Sequence, residues 1–201
     1  MTGNDWLTRR SEAAVDRILD AAGELFAEKS AASVGMNEIA KAAGCSRATL
    51  YRYFENRDAL RTAFVHREAH TAHRRMVERL RGIDDPRESL PTGFLCALDL
   101  VRASPELQSW FAAGEAPVGA AIAERSDVIT AMCAAFVVSL EPGGDVDTVD
   151  RKARWLVRVL TSLLIFPGRD ADDERSMVEE FLVPILTPSN SPVGLRRSAA
   201  G

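Results

Sequence analysis

Residues 36–54, MNEIAKAAGCSRATLYRYF, constrain the possible folds of this chain more than any other stretch. A helix-turn-helix needs a small residue where its two helices cross, a glycine in the turn and an apolar anchor beneath the second helix. Ala40 supplies the first, Gly44, four residues on, the second, and Leu50, six further, the third. Ile39 and Ala43 complete the inner face, and Gly44 suits a tight turn that demands a positive φ. Ser46 is the expected N-cap of the second helix; Gly35 opens the first, with Glu38 placed to reach back to its exposed N–H groups. By angular position Arg47, Thr49, Tyr51, Arg52 and Tyr53 point outward, and these side-chain types meet phosphates and base edges. An ordinary helical hairpin with a polar outer face has the same spacing, so spacing alone leaves both readings open.

The rest of the chain reads as helices with short breaks. Val15, Ile18, Leu19, Ala22, Leu25 and Phe26 recur with a 3.6-residue period, predicting a first helix capped by Ser11. A long charged fourth helix is expected from Asn56 or Arg57 to about Arg81, and Gly82 and Pro86 mark a change of character. Helices follow near 87–102, 105–113, 118–140, 147–166 and 172–186, broken at Ser104-Pro105, Pro117, Pro142-Gly143-Gly144 and Pro167-Gly168. The fold class is therefore all-α: an N-terminal three-helix helix-turn-helix head joined to a larger C-terminal helical domain. The expected divisions are a flexible arm over 1–12, the head over 13–56, a linking helix over 57–81, a second helical domain over 82–186, and a disordered tail over 187–201.

Hydrophobic residues at 46% and charged residues at 27% rule out a disordered chain. The net charge of −4 argues against a nucleic-acid partner only as an average. Residues 1–80 hold 13 Lys+Arg against 11 Asp+Glu, a balance of +2, whereas the remainder holds 12 against 18, a balance of −6. A weakly basic head on an acidic body permits phosphate contact at one end. Met1–Ser11 has no signal-peptide core, and the longest nearly apolar stretch, Trp155–Phe166, is interrupted by Arg158 and too short for a membrane span. Cys45, Cys96 and Cys133 are odd in number and lack metal-ligand spacing. The expectation is a cytoplasmic protein with reduced thiols, no membrane partner and no cofactor.

The segment IAKAAGCSRATLYRYFENRDAL resembles the signature of the TetR family of transcriptional regulators, and ELFAEKSAASV before it resembles the end of that family's first helix. The resemblance covers roughly residues 13–66 and implies that the C-terminal helical domain over 82–186 is a regulatory domain that binds ligand and dimerises. It implies that Ser46, Arg47, Thr49, Tyr51, Arg52 and Tyr53 face double-stranded operator DNA. Thr49 and Tyr51 would meet the phosphate backbone or thymine methyls, Arg47 and Arg52 guanines or phosphates, and Phe54 would be core. Arg57 stands where the family usually has a lysine against phosphate, Gly35 where threonine or serine is usual, and Cys45 where valine is commonest. Arg9 and Arg10 could serve as a minor-groove arm or be a solvated terminus.

One recognition helix buries too little surface for operator-level affinity, so a homodimer on a palindrome is expected. The interface is sought on the last two helices: Leu156, Val159, Leu160 and Leu163, with Met177, Phe181, Leu182 and Ile185. Pro184 is placed to end the last helix early. An apolar effector site could be lined by Phe94, Leu98, Trp110, Phe111, Met132, Phe136 and Trp155, with Arg102 as a polar handle, although such residues at helical spacing also make an ordinary core. His66, His70 and His73 share one face at i, i+4, i+7, and Asp99 could complete a metal site, but histidines in so charged a helix are ordinarily solvated. The reading is a DNA-binding regulator, a repressor released by a small, apolar effector. The rival is a helical carrier or enzyme with a non-functional hairpin, for which no catalytic constellation is found in the sequence.

Overall fold

The computed structural model describes residues 3–111 and 118–187, and within 3–9 the backbone path alone. The regular elements among them are helical: α1 (Gly3–Glu28), α2 (Met36–Ala42), α3 (Arg47–Tyr53), α4 (Arg57–Arg79), α5 (Pro86–Arg102), α6 (Val118–Arg125), α7 (Asp127–Leu140), α8 (Val146–Ile165), α9 (Ala171–Met177) and α10 (Val183–Leu186). A 3-10 turn (Gln108–Trp110) follows α5, and a π-helical stretch (Val178–Leu182) joins α9 to α10. The expected break at Pro117, the tail beyond Thr187 and any contact by the Arg9 side chain lie outside the described residues.

Four expected boundaries shift, each for a local reason. α1 begins at Gly3, not at Ser11, so the arm expected to be flexible over 1–12 is helical from Gly3. No proline interrupts those residues, and a helix already nucleated propagates readily. The helix expected over 105–113 shrinks to the 3-10 turn, because Ser109 and Trp110 turn away to engage the head. The helix expected over 118–140 divides at Ser126, whose Oγ accepts from the Ile129 N–H at 3.1 Å and starts α7 afresh. The last helix neither stays regular nor stops at Pro184. The proline ring would clash with the carbonyl four residues back in a regular helix, and the chain widens instead, the Val183 N–H reaching Val178 O.

Two apolar clusters organise the molecule. The first gathers α1–α4 around Ile18, Phe26, Ile39, Leu50, Leu60 and Phe64, all essentially without solvent exposure. Leu107 and Trp110 belong to it as well, although they lie past α5 in the chain. Trp110 packs edge-on to Phe26 with ring centroids 5.0 Å apart and stacks on Phe64 at 5.7 Å, while Phe26 and Phe64 meet edge-on at 5.1 Å. The adjoining turn is tied down by hydrogen bonds: the Ala31 N–H donates to Ser109 Oγ at 3.1 Å, and the buried Arg61 guanidinium donates to Ala31 O. The second cluster joins α5, α7, α8 and the last helix through Leu90, Phe94, Leu98, Phe136, Leu140, Leu182 and Leu186. α5 and α7 approach closely at Gly93, where a Cβ would lie 2.9 Å from Phe136 Cζ; no larger residue fits without moving that ring.

Trp110 Nε1 is buried without a hydrogen-bond partner, so the indole contributes through its apolar area. Trp110→Ala is expected to lower stability by about 3–5 kcal/mol, read as a fall in the urea midpoint at unchanged m-value. Trp110→Phe, which removes the unpaired N–H, should cost well under half of that. Equal losses for the two substitutions would contradict the packing account.

Candidate functional site

The turn between α2 and α3 closes as a Schellman motif. Gly44, at φ +63°, donates from its N–H to Lys41 O at 3.2 Å, and the Cys45 N–H reaches Ala40 O at 3.0 Å. Ser46 then caps α3: its Oγ accepts from the Thr49 N–H at 3.0 Å and pairs with Thr49 Oγ1 at 2.9 Å. Gly35 opens α2 without a side-chain cap. Glu38 pairs with Lys29, whose ammonium, followed in effect by the Gly35 backbone N–H, holds the carboxyl below its usual range.

Leu50 and Phe54 are buried in the apolar cluster of the head and anchor α3 there. Arg47, Tyr51 and Arg52 are exposed, Thr49 and Tyr53 half-buried. The two arginines are braced by neighbouring rings: the Arg47 guanidinium lies 5.3 Å from the Tyr51 centroid, and that of Arg52 5.0 Å from Tyr53. Arg52 Nη2 also donates to Tyr53 Oη at 3.3 Å, and this hydrogen bond holds the phenol below its ordinary value, helped by Ser11 and Arg10 of α1. Arg57 is exposed at the start of α4 beside the capping Asn56, and its Nη1 donates to Ala32 O at 3.2 Å. All seven expected DNA-contacting residues thus lie on α3, at its N-cap and at the start of α4.

A second feature is a cavity of about 150 Å³ bordered by α4, α5, α6, α7, α8 and the 107–111 segment. Of the expected ligand residues, Phe94, Phe111, Met132 and Phe136 line it. Leu98 is fully buried in the second cluster and Trp110 in the first, so both are packing residues. Trp155 faces outward, 48% exposed. Arg102 is committed elsewhere: its guanidinium makes two 2.7 Å hydrogen bonds to Glu174 and one of 2.9 Å to Leu163 O, joining α5 to α8 and α9. It borders a shallow depression next to the cavity, which shares Val101, Leu107, Phe111 and Leu164 with it.

The expected interface residues also divide. Leu156 and Leu160 turn inward to the cavity. Val159, Leu163, Met177, Phe181, Leu182 and Ile185 line an open groove between α8 and the last helix, with Trp155 and Arg158 at its side. Of the histidines, His66 Nε2 bonds to Ser126 Oγ at 2.7 Å, His70 Nδ1 donates to His66 O at 2.8 Å, and His73 lines the cavity. Burial, with a smaller effect of His70, holds His66 below its ordinary value. Asp99 is exposed, and no cluster of three or more His, Cys, Asp or Glu able to hold a metal ion occurs among the described residues.

Sequence reasoning missed the contribution of α4, whose Val65, Glu68, Ala69, Ala72, His73 and Met76 form one wall of the cavity. Their i, i+4 recurrence was a usable signal, but it is diluted by eight arginines and acids on the remaining faces, Arg67, Arg74, Arg75, Glu78 and Arg79 among them.

A glycine-turned pair of short helices presenting Arg47, Thr49, Tyr51 and Arg52 defines a helix-turn-helix DNA-binding protein. The family model described as "Bacterial regulatory proteins, tetR family" matches residues 18–64. An HTH-type transcriptional regulator of Mycobacterium tuberculosis H37Rv is 55% identical over 192 residues, 95% of each chain. The chain belongs to the TetR family of transcriptional regulators, which favours the regulator over the helical carrier or enzyme. Solved structures share the fold at low identity. RolR in complex with resorcinol has a TM-score of 0.67 at 19% identity, covering 89% of this chain and 88% of that one. Thermus thermophilus FadR in complex with lauroyl-CoA has 0.62 at 23%, covering 90% and 100%. AlkX from a Dietzia species has 0.61 at 22%, covering 85% and 93%. No described helix is long and apolar enough to cross a membrane.

The Arg102 hydrogen bonds hold the Glu174 carboxyl below its usual range despite burial. A carboxylate with a depressed folded pKa contributes stability that is complete above its unfolded value, about 4.3, and lost as pH falls through the folded value. Glu174→Gln should therefore lower the Tm at pH 7, and the gap to wild type should narrow below about pH 4. A gap unchanged down to pH 3 would count against the ion pair.

Proposed function

We propose that this regulator is a homodimeric repressor released from a palindromic operator by a small apolar effector bound in the cavity. One observation carries the proposal: the same cavity touches both elements that tie body to head. α4 begins at the recognition helix and forms one cavity wall. Leu107 and Phe111 also line the cavity, while Trp110 between them is wedged against Phe26 and Phe64. An occupant that displaces Leu107, Phe111 or the α4 wall shifts the head, and two heads so shifted no longer fit successive major-groove half-sites. Resorcinol and lauroyl-CoA are ligands of the two neighbours just described, which supports a ligand-accepting fold without naming a ligand here.

The groove beside Trp155 supports the dimer. Phe181 at 59% and Ile185 at 52% exposure are large apolar side chains left facing solvent in the monomer. Two copies related by a two-fold axis would bury them in an isologous four-helix bundle.

Fluorescence-polarisation titration with DNA from upstream of the protein's own gene tests the operator reading. Binding should weaken steeply with salt, and Tyr51→Ala and Arg52→Ala should each weaken it by about 1–3 kcal/mol. Binding by a folded protein that ignores both substitutions would contradict the α3 assignment. In sedimentation, Phe181→Glu should convert a dimer to monomer and abolish operator binding with it; an unchanged dimer would place the interface elsewhere.

A further inference from the structure

The surface that lines the cavity is carbon almost throughout. The polar side chains that border it are Glu68 and His73 on α4, Thr161 on α8 and Cys133 on α7. Glu68 is half-buried, and its Oε1 accepts from Arg67 Nε at 3.3 Å. His73 is half-buried as well and keeps access to solvent. The Thr161 hydroxyl donates back to its own helix, to Val157 O at 2.9 Å and Arg158 O at 3.0 Å. Burial pushes the Cys133 thiol up to about 11, so it stays neutral at pH 7 and remains a weak hydrogen-bonding group. Toward the shallow depression the wall is Val101, Leu107, Phe111 and Leu164, all apolar, and the nearby Arg102 is taken by Glu174 and Leu163 O.

A polar group carried into such a site exchanges water for carbon. An unpaired hydroxyl loses its hydrogen bonds to solvent and recovers none, and a charged group loses far more. A bridging water does not restore them, because it needs two or more polar partners of its own, and apolar cavities stay dry. A hydrocarbon has no hydrogen bonds to lose and gains from the removal of its surface from water. Size sets the upper bound: about 150 Å³ matches an apolar cavity that holds benzene. We propose that the effector class of this protein is a neutral hydrocarbon of about the size of one benzene ring, recognised by its lack of any hydrogen-bonding group. The inference rests on the cavity being the effector site. It adds a selectivity: the site tells a hydrocarbon from the alcohol or phenol that an oxygenation would make of it, because the added hydroxyl meets almost only carbon.

Calorimetric titration of the full-length protein at pH 7 with toluene, methylcyclohexane, phenol and benzylamine tests it. These probes are close in size; the first two are hydrocarbons, the third carries a neutral hydroxyl and the last a cation. Both hydrocarbons should bind, each about thirtyfold or more tightly than phenol, and benzylamine should bind more weakly still. A toluene advantage over phenol of less than about tenfold would overturn this inference and leave the cavity reading standing. Benzylamine binding as tightly as toluene would do the same. Ala97→Leu on α5 and Ala72→Leu on α4 add bulk to different walls of the cavity, and each should weaken toluene binding by about tenfold or more in a protein that still melts cooperatively. The two positions keep the test intact should one substitution fail to fold. Toluene binding unchanged in either folded variant would place the hydrocarbon elsewhere and overturn the inference. No binding of any probe to the folded wild type would overturn both this inference and the cavity as an effector site.

Discussion

Trp110 is the contact on which the arrangement of the molecule depends. An indole is the largest apolar side chain available, and once enclosed it makes contacts on every side. Here it enters the cluster of α1–α4 from a turn that follows α5, and it is held at 1% exposure between Phe26 and Phe64. The α1–α2 loop closes over the same place: Ala31 uses its N–H on Ser109 and its carbonyl on Arg61, and Ala32 O takes a hydrogen bond from Arg57. Head and body are thus joined twice, once through the continuous α4 and once through this graft, and neither can rotate without disturbing a close-packed aromatic cluster.

Two helices serve two surfaces each. α4 gives Leu60, Phe64 and Arg61 to the head and Ala72, His73 and Met76 to the cavity. α8 gives Leu156, Leu160 and Leu164 to the cavity and Trp155, Val159 and Ser162 to the open groove. A helix that is apolar round most of its circumference must be covered on more than one side. In α8 one side is covered from within the chain, and the other lines the open groove.

The recognition helix has only seven residues, too few to hold its shape alone in water. Its order comes from outside: the Ser46 cap, the Gly44 turn, and Leu50 and Phe54 beneath it. The outward side chains are also partly ordered, since Arg47 and Arg52 rest on Tyr51 and Tyr53. Ordering them before contact lowers the entropic penalty of binding a phosphate or base edge.

What could be read from residues alone was local. The Gly44 turn, the Ser46 cap, the start of α4 at Arg57 and the outward face of α3 all depend on neighbours within four or so positions, and the structure places them as their spacing predicts. Family membership was legible for the same reason, because the matching signature is itself a local one. Helical periodicity tells which residues share a face, but not which neighbour covers it. Trp110 and Leu98 had the composition of a ligand pocket and became core; Leu156 and Leu160 had the pattern of an interface and became cavity wall; Trp155 went the opposite way. Arg102 read as a free polar handle until Glu174, distant in sequence, came within 2.7 Å. Those assignments rest on contacts between residues tens of positions apart, and only the packed tertiary structure decides them.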